Sequence, residues 1–99
     1  MQTQPALALA RPATCALPDE LVAHYQDRHA NAVQDAVYVA GLIGTAHDFP
    51  AMRQLGVHRL NRACSIETLL ADAGCLDAAA ALASTTAGLA ERLAGERVA

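Results

Sequence analysis

The spacing of hydrophobic positions between residues 19 and 46 predicts one long amphipathic helix. Apolar and small side chains recur there in steps of three and four, which places them on one face of an α-helix. Pro18 followed by Asp19 and Glu20 fits a helix start, because proline is tolerated there and acids complement the helix dipole. The residues of this face are Val22, Tyr25, His29, Ala32, Ala36, Val39, Ile43 and Ala46. At about 1.5 Å per residue the helix is about 40 Å long, so a returning helix or a second copy must cover it.

Shorter helical segments are predicted to follow. Asp48-Phe49-Pro50 resembles a helix start, and Gly56 is expected to supply the left-handed conformation that commonly ends a helix. The predicted segments are 51–55, 57–63, 66–73 and 76–94. Since no alternation typical of strands is found, we predict an all-α fold. One long N-terminal helix would be followed by several shorter helices, in an orthogonal or bundle-like arrangement completed by dimerisation.

Residues 1–17 lack a clean periodicity and contain two prolines. Proline removes a backbone donor and disfavours helix before it, so this segment is predicted to be a flexible arm in front of one helical domain over 18–99. The apolar run at 5–10 has no cationic residue before it and is cut short by Arg11. That run is too brief for a signal peptide or a membrane span, so we expect a cytoplasmic protein that does not contact membranes.

The composition indicates that the protein associates with other chains. Of the 99 residues, 54% are hydrophobic and 17% are charged, which is more apolar surface than a small monomer can readily bury. We therefore expect a homodimer, with the helical face over Val22–Ile43 as its interface, and docking on a second protein subunit. The expected interface residues are Val22, Tyr25, His29, Ala32, Ala36, Val39 and Ile43.

A locally basic stretch stands out in an acidic chain. The formal net charge is −3, yet no acidic residue lies between Phe49 and Ile66. A short helix, a glycine turn and a second helix would have the shape of a helix-turn-helix unit, whose arginine and asparagine donors read base edges and neutralise phosphates. The alternative is a solvated basic turn between helices. The candidate nucleic-acid-binding residues are Arg53, His58, Arg59, Asn61 and Arg62.

The residues that could perform chemistry lack the required patterns. Cys15, Cys64 and Cys75 are an odd number with wide spacings, so neither a disulfide framework nor a zinc ribbon is expected, and a reducing compartment fits. His24 and His29 are five apart, which is the wrong spacing for joint chelation on a helix. His29 is better explained as a polar residue that fixes register across an interface. We predict no catalytic residue, no metal, no cofactor and no small-molecule substrate.

One segment resembles a known family. Leu42-Ile43, Asp48, Ala51-Met52 and Leu55-Gly56-Val57 look like the pattern in the D subunit of the bacterial flagellar master regulator, over about 25 residues. The resemblance implies a small all-helical dimer that joins a zinc-bearing C subunit to activate transcription. It also implies that DNA is contacted mostly through the partner. The aromatic and arginine-containing segment near the C-terminus of that family is replaced here by an alanine-rich helix.

Two functions follow from these observations. In the first, the chain is a non-enzymatic transcription co-regulator subunit that acts by protein–protein contact and DNA contact. In the second, it is an adaptor or chaperone-like module that docks the amphipathic helix of a partner protein. Salt distinguishes them, since a DNA complex made by arginines weakens steeply as ionic strength rises.

Overall fold

Four helices make up the part of the chain that the computed structural model describes, residues 15–95. They are α1 (Asp19–Leu42), α2 (Pro50–Asp72), α3 (Leu76–Thr86) and α4 (Leu89–Leu93). Residues 15–95 contain no strand. The predicted all-α class is confirmed, although α2 is nearly as long as α1.

Helices α1 and α2 form an antiparallel hairpin. His29 near the middle of α1 contacts Glu67 of α2, and Val39 near its end lies against Gly56. As predicted, α1 begins after Pro18 with two acids in its first turn. It ends four residues earlier than predicted, because the chain leaves the helix at Ile43 and Gly44 takes a positive φ of 84°.

Helix α2 runs without a break through Gly56, so the predicted helix-turn-helix is wrong. Gly56 is buried inside the helix. A Cβ built on it would lie 2.8 Å from side-chain atoms of both Val39 and Leu93. The glycine therefore permits a close approach between helices and does not end one. The predicted division into 51–55, 57–63 and 66–73 is wrong for the same reason.

Two later glycines do end helices. Gly74, with φ 86°, follows α2, and the Cys75 N–H donates to the Leu70 carbonyl at 2.8 Å. Gly88, with φ 82°, separates α3 from α4. The predicted end at Gly74 is confirmed, whereas the predicted single last helix over 76–94 is wrong, because Gly88 divides it into α3 and α4.

Helices α3 and α4 pack on one side of the hairpin and bury two apolar clusters there. The first cluster joins Leu89 and Leu93 of α4 to α1 and α2, and the second joins Ala79 of α3 to the C-terminal end of α2. The buried residues of both clusters are Ala36, Val39, Ala40, Leu60, Leu89, Leu93, Ile66, Leu70, Cys75 and Ala79.

The segment before α1 is fastened to the end of α2. Cys15 and Cys75 form a disulfide across a sequence separation of 60, with their Cα atoms 4.3 Å apart. The Ala16 N–H donates to the Ala73 carbonyl at 2.8 Å. The expectation that the cysteines stay unpaired is wrong, because cysteines far apart in sequence leave no local pattern. Residues 15–17 are thus not part of a free arm, and residues 1–14 lie outside the described range.

The predicted interface face of α1 is mostly covered by the chain itself. His29, Ala32, Ala36 and Val39 are buried, whereas Val22, Tyr25 and Ile43 are partly exposed. Of the two expected ways to cover this face, the structure shows the returning helix. The homodimer stays a prediction, and of the expected interface residues Val22, Tyr25 and Ile43 remain accessible to a second copy.

None of the helices described between residues 15 and 95 combines the length and the apolar character that crossing a membrane requires.

Candidate functional site

The predicted nucleic-acid-binding residues all lie on α2, but they do not share one surface. At about 100° per residue, Arg53 and Arg59 point about 120° apart around the helix axis. Arg53 contacts Asp48 in the turn before α2, whereas Arg59 contacts Asp35 on α1. His58, Asn61 and Arg62 are exposed. A continuous α2 therefore divides the predicted residues between two surfaces, with Arg53, His58 and Asn61 lining one depression and Arg59 and Arg62 lining another.

Arg53 is held within the connection between α1 and α2. Its Nε and one terminal nitrogen donate to the two carboxylate oxygens of Asp48, both at 2.8 Å. These hydrogen bonds, together with one from the Gly44 N–H, lower the pKa of Asp48 from 3.8 to about 2. Such a two-point pair between guanidinium and carboxylate is geometrically specific. Arg53 thus stabilises a turn, and the structure does not leave it free for a ligand.

Arg59 belongs to a cluster of polar side chains between the two hairpin helices. Its Nε lies 3.3 Å from a carboxylate oxygen of Asp35, yet this buried nitrogen has no hydrogen-bond partner in the described part of the chain. The polar residues that line the same groove are Arg28, Asn31, Asp35, Arg59 and Arg62. Three guanidinium groups therefore converge beside one carboxylate.

The groove continues towards the disulfide with an apolar lining. Leu17, Leu21 and Tyr25 form one wall of an open depression of about 610 Å³. The other wall comes from the last turns of α2. Its residues are Ser65, Thr68, Leu69, Asp72 and Ala73. Positions 21, 25, 28 and 35 recur on one side of α1, and positions 59, 62, 69 and 73 on one side of α2. We call these two neighbouring depressions together the α1–α2 groove; it runs from Asp35 and Arg59 to Leu17 and Asp72.

The charge along the α1–α2 groove is asymmetric. Arg28 and Arg62 form no ion pair with any of the residues 15–95, so the polar half carries an excess of positive charge. The apolar half ends at Asp72. A chain with a net charge of −3 thus places a locally cationic region beside exposed leucine and tyrosine surface.

Sequence reasoning found only half of this site. Arg59 and Arg62 were among the predicted residues, but Arg28, Tyr25 and Leu69 were not assigned to a shared surface with them. Arg28, Asn31 and Asp35 have helical spacing, which could have indicated a polar side of α1. Only the antiparallel pairing of α1 and α2 shows that this side meets Arg59.

A second polar group lies between the hairpin and α3, and its contacts are internal. His29 is 1% exposed, and its Nε2 lies 2.7 Å from a carboxylate oxygen of Glu67. The Thr86 hydroxyl donates to that same oxygen at 2.9 Å. Buried polar groups need such partners. His29 is thus a satisfied polar residue, but its partner is Glu67 of the same chain and not a residue across an interface between chains, as had been expected.

The remaining candidates for chemistry have environments that do not activate them. Partial burial, and secondarily the Glu67 carboxylate, raises the pKa of the Cys64 thiol. A nucleophilic cysteine needs the opposite shift, because the thiolate is the reactive form. Cys15 and Cys75 are joined to each other. Within residues 15–95, His, Cys, Asp and Glu side chains form no cluster of three or more that could hold a metal ion.

Comparison with protein families, curated proteins and solved structures finds no match to this chain.

Proposed function

We propose that this protein is a non-enzymatic helical adaptor that binds a partner protein in the α1–α2 groove. The observation that carries the proposal is the composition of that groove. Arginine, tyrosine and leucine side chains line its two neighbouring depressions, and no residue of α3 or α4 is part of that lining. Arginine and aromatic residues are enriched at the energetic centres of protein interfaces.

The apolar half of the groove supports this assignment. Leu69 is 38% exposed, and Leu17, Leu21 and Tyr25 are partly exposed beside it. Association would remove this surface from water, at about 25 cal/mol per Å² of apolar area. Adjacent arginines would supply orientation, since charged groups at an interface contribute mainly specificity and association rate.

The test is site-specific cross-linking in the native cell. A photo-reactive amino acid at Leu69 should give one discrete adduct, because this side chain lies on the groove wall. The same group at Ala80, an exposed residue of α3 outside the groove, serves as the control. The proposal is rejected if Leu69 gives no adduct, or the same adducts as Ala80.

A second candidate is a transcription co-regulator subunit, which the convergence of Arg28, Arg59 and Arg62 favours. In this reading the chain joins a second, DNA-bound subunit and meets the phosphate backbone through Arg62, His58 and Asn61. Its cytoplasmic location stays a prediction, and the disulfide weighs against it because disulfides are rare in the reducing cytosol.

Salt dependence tests this second candidate. Binding to duplex DNA should weaken as salt rises, with log K falling by about 0.9 per tenfold rise in salt for each phosphate contacted. If Arg59 and Arg62 make these contacts, replacing both by alanine should abolish retention of a DNA probe and leave the helix content unchanged. If the double variant retains the probe as well as wild type does, these arginines do not bind DNA.

A further inference from the structure

We infer that the α1–α2 groove receives an amphipathic helix of the partner protein, with acidic residues at one end and apolar residues at the other. The acidic end would lie over Arg28, Arg59 and Arg62. The apolar end would lie over Leu21, Tyr25 and Leu69. This inference rests on the proposed docking function and specifies the chemistry of the occupant.

The arginine end of the groove has three guanidinium groups and a single carboxylate, that of Asp35. The buried Nε of Arg59 has no hydrogen-bond partner within residues 15–95, and Arg28 and Arg62 form no ion pair there. Carboxylates match the forked guanidinium geometry. Carboxylates of an acidic occupant would therefore pair with the exposed Arg28 and Arg62, whose charges no residue of 15–95 neutralises.

The distance between the two ends fits a helix. Arg62 and Leu69 are seven residues apart on α2, which is about 10 Å along the helix axis. A partner helix lying along the groove covers that distance in two turns. Its apolar anchors should therefore be three or four residues apart, and its acidic residues should follow about seven residues further on.

Asp72 gives the bound helix a direction. It lines the apolar end of the groove, so an acidic residue placed there would be repelled, whereas a basic residue would be attracted. The arginines at the other end have the reverse preference. Opposite charges at the two ends favour one orientation of the helix over the other, which is how interfacial charge fixes register.

The segments of the chain outside the described range do not have this chemistry. Residues 1–14 contain no acidic side chain, and residues 96–99 contain only Glu96. A nucleic acid fits less well, because its phosphates would have to pass the apolar wall and Asp72. The charge pattern therefore favours a helix from another protein.

A synthetic peptide tests the inference directly. The probe is a fluorescent helical peptide of about 16 residues, long enough to hold a helix, with leucines at one end and glutamates two turns further on. A matched peptide carries glutamine for glutamate. Fluorescence polarisation with the full chain should show the glutamate peptide binding at least about tenfold more tightly than the glutamine peptide, a difference of about 1.4 kcal/mol.

Variants of the protein connect that preference to the groove. Replacing Arg59 and Arg62 by glutamine should remove the preference for glutamate and leave the glutamine peptide unaffected. Leu69→Asn should weaken both peptides. Arg92→Gln changes an exposed arginine of α4 outside the groove, so it should bind as wild type does. Circular dichroism of each variant checks that the helices are retained.

Several results would overturn the inference. Equal affinity for the glutamate and glutamine peptides would do so. So would tighter binding of a DNA duplex that is lost when the arginines are replaced, or a dimer formed through the groove that excludes the peptide. If Leu69 still cross-links to a partner in such a case, the docking function stands and only the class of occupant is wrong. If cross-linking also fails, the docking function is rejected as well.

Discussion

Gly56 and Gly41 both lie inside helices, but their surroundings differ. A Cβ on Gly56 would meet Val39 and Leu93 at 2.8 Å, whereas a Cβ on Gly41 would meet nothing within 4 Å. The sequence alone does not separate these cases from a glycine that ends a helix. The neighbours of Gly56 are 17 and 37 residues away along the chain, so its role emerges only when α1, α2 and α4 come together.

In Gly56→Ala, overpacking this close helix contact should cost about 1–3 kcal/mol of the free energy of unfolding, because the neighbours are forced apart. Alanine brings a gain of about 1 kcal/mol to a helix interior, so the net loss should reach up to about 2 kcal/mol. Gly41→Ala is the control and should raise stability by up to about 1 kcal/mol. Chemical denaturation of both variants measures the two changes. A stabilising Gly56→Ala would contradict the close approach.

Glu67 is the acceptor that satisfies His29 and Thr86 at once. Glu67→Ala should lower the free energy of unfolding by about 2–4 kcal/mol, since it leaves a buried imidazole without a partner. Glu67→Gln retains an acceptor and should cost clearly less. Glu91→Ala, which changes an exposed side chain of α4, should have little effect. Equal losses from the alanine and glutamine variants would show that packing, rather than hydrogen bonding, is what Glu67 contributes.

At the level of elements, the short connection between α1 and α2 is ordered by Asp48. Its carboxylate accepts the Gly44 N–H at 2.9 Å and the two hydrogen bonds from Arg53. The carboxylate thereby links the end of α1 to the first turn of α2. The resemblance that drew attention to this aspartate in the sequence did not indicate its partners.

The stabilisation from Asp48 should depend on pH. Its pKa is about 2 in the folded chain against an ordinary 3.8, so the carboxylate form favours folding. The contribution is complete above pH 3.8 and is lost as the pH falls from 3.8 towards 2. Asp48→Asn should therefore be less stable than wild type at neutral pH, and thermal melts of the two should converge in that acid range.

A double-mutant cycle with Arg53→Gln separates this pair from other acid effects. Each single change should remove the same interaction, so adding Arg53→Gln to Asp48→Asn should cost little more. Fully additive losses would mean that the Asp48–Arg53 pair does not stabilise the turn in solution.

The long helices were predictable to different degrees. The steps of three and four from Val22 to Val39 are local, and α1 follows them closely. In α2, Gly56 and the polar residues His58 and Arg59 after it led to the prediction of a boundary between two helices. The helix continues because Leu60, Ala63, Ile66 and Leu70 are buried on one face. Tertiary burial thus decided the length of α2, as it commonly does for helices with modest intrinsic signals.

For the whole molecule, composition predicted that apolar helix surface must be covered, and the hairpin provides that cover for α1. The α1–α2 groove was beyond sequence reasoning. Its walls come from residues 17–35 and 59–73, which meet only through antiparallel pairing. The charges along α2 alone suggested a basic surface. In the groove, however, Arg28 from α1 is one of the three arginines, and Leu21 and Tyr25, also outside α2, form part of the apolar end.

The Cys15–Cys75 disulfide should stabilise the whole chain, because it closes a loop with a sequence separation of 60. Loop closure of that size restricts the unfolded chain and is worth about 2–4 kcal/mol. Replacing both cysteines by serine should lower the free energy of unfolding by that amount, and reductant should lower wild type to the same level. Cys64→Ser should remain as sensitive to reductant as wild type.

The same disulfide should also affect the groove, since it holds Leu17 against α1 and α2. Opening the bond frees residues 15–17, so part of the apolar wall is lost and the amphipathic peptide should bind more weakly. The arginine end is unchanged, so the preference for glutamate over glutamine should persist. Reductant that alters neither stability nor peptide affinity would show that residues 15–17 are held by packing alone. Loss of the glutamate preference would show instead that the two ends of the groove are not independent.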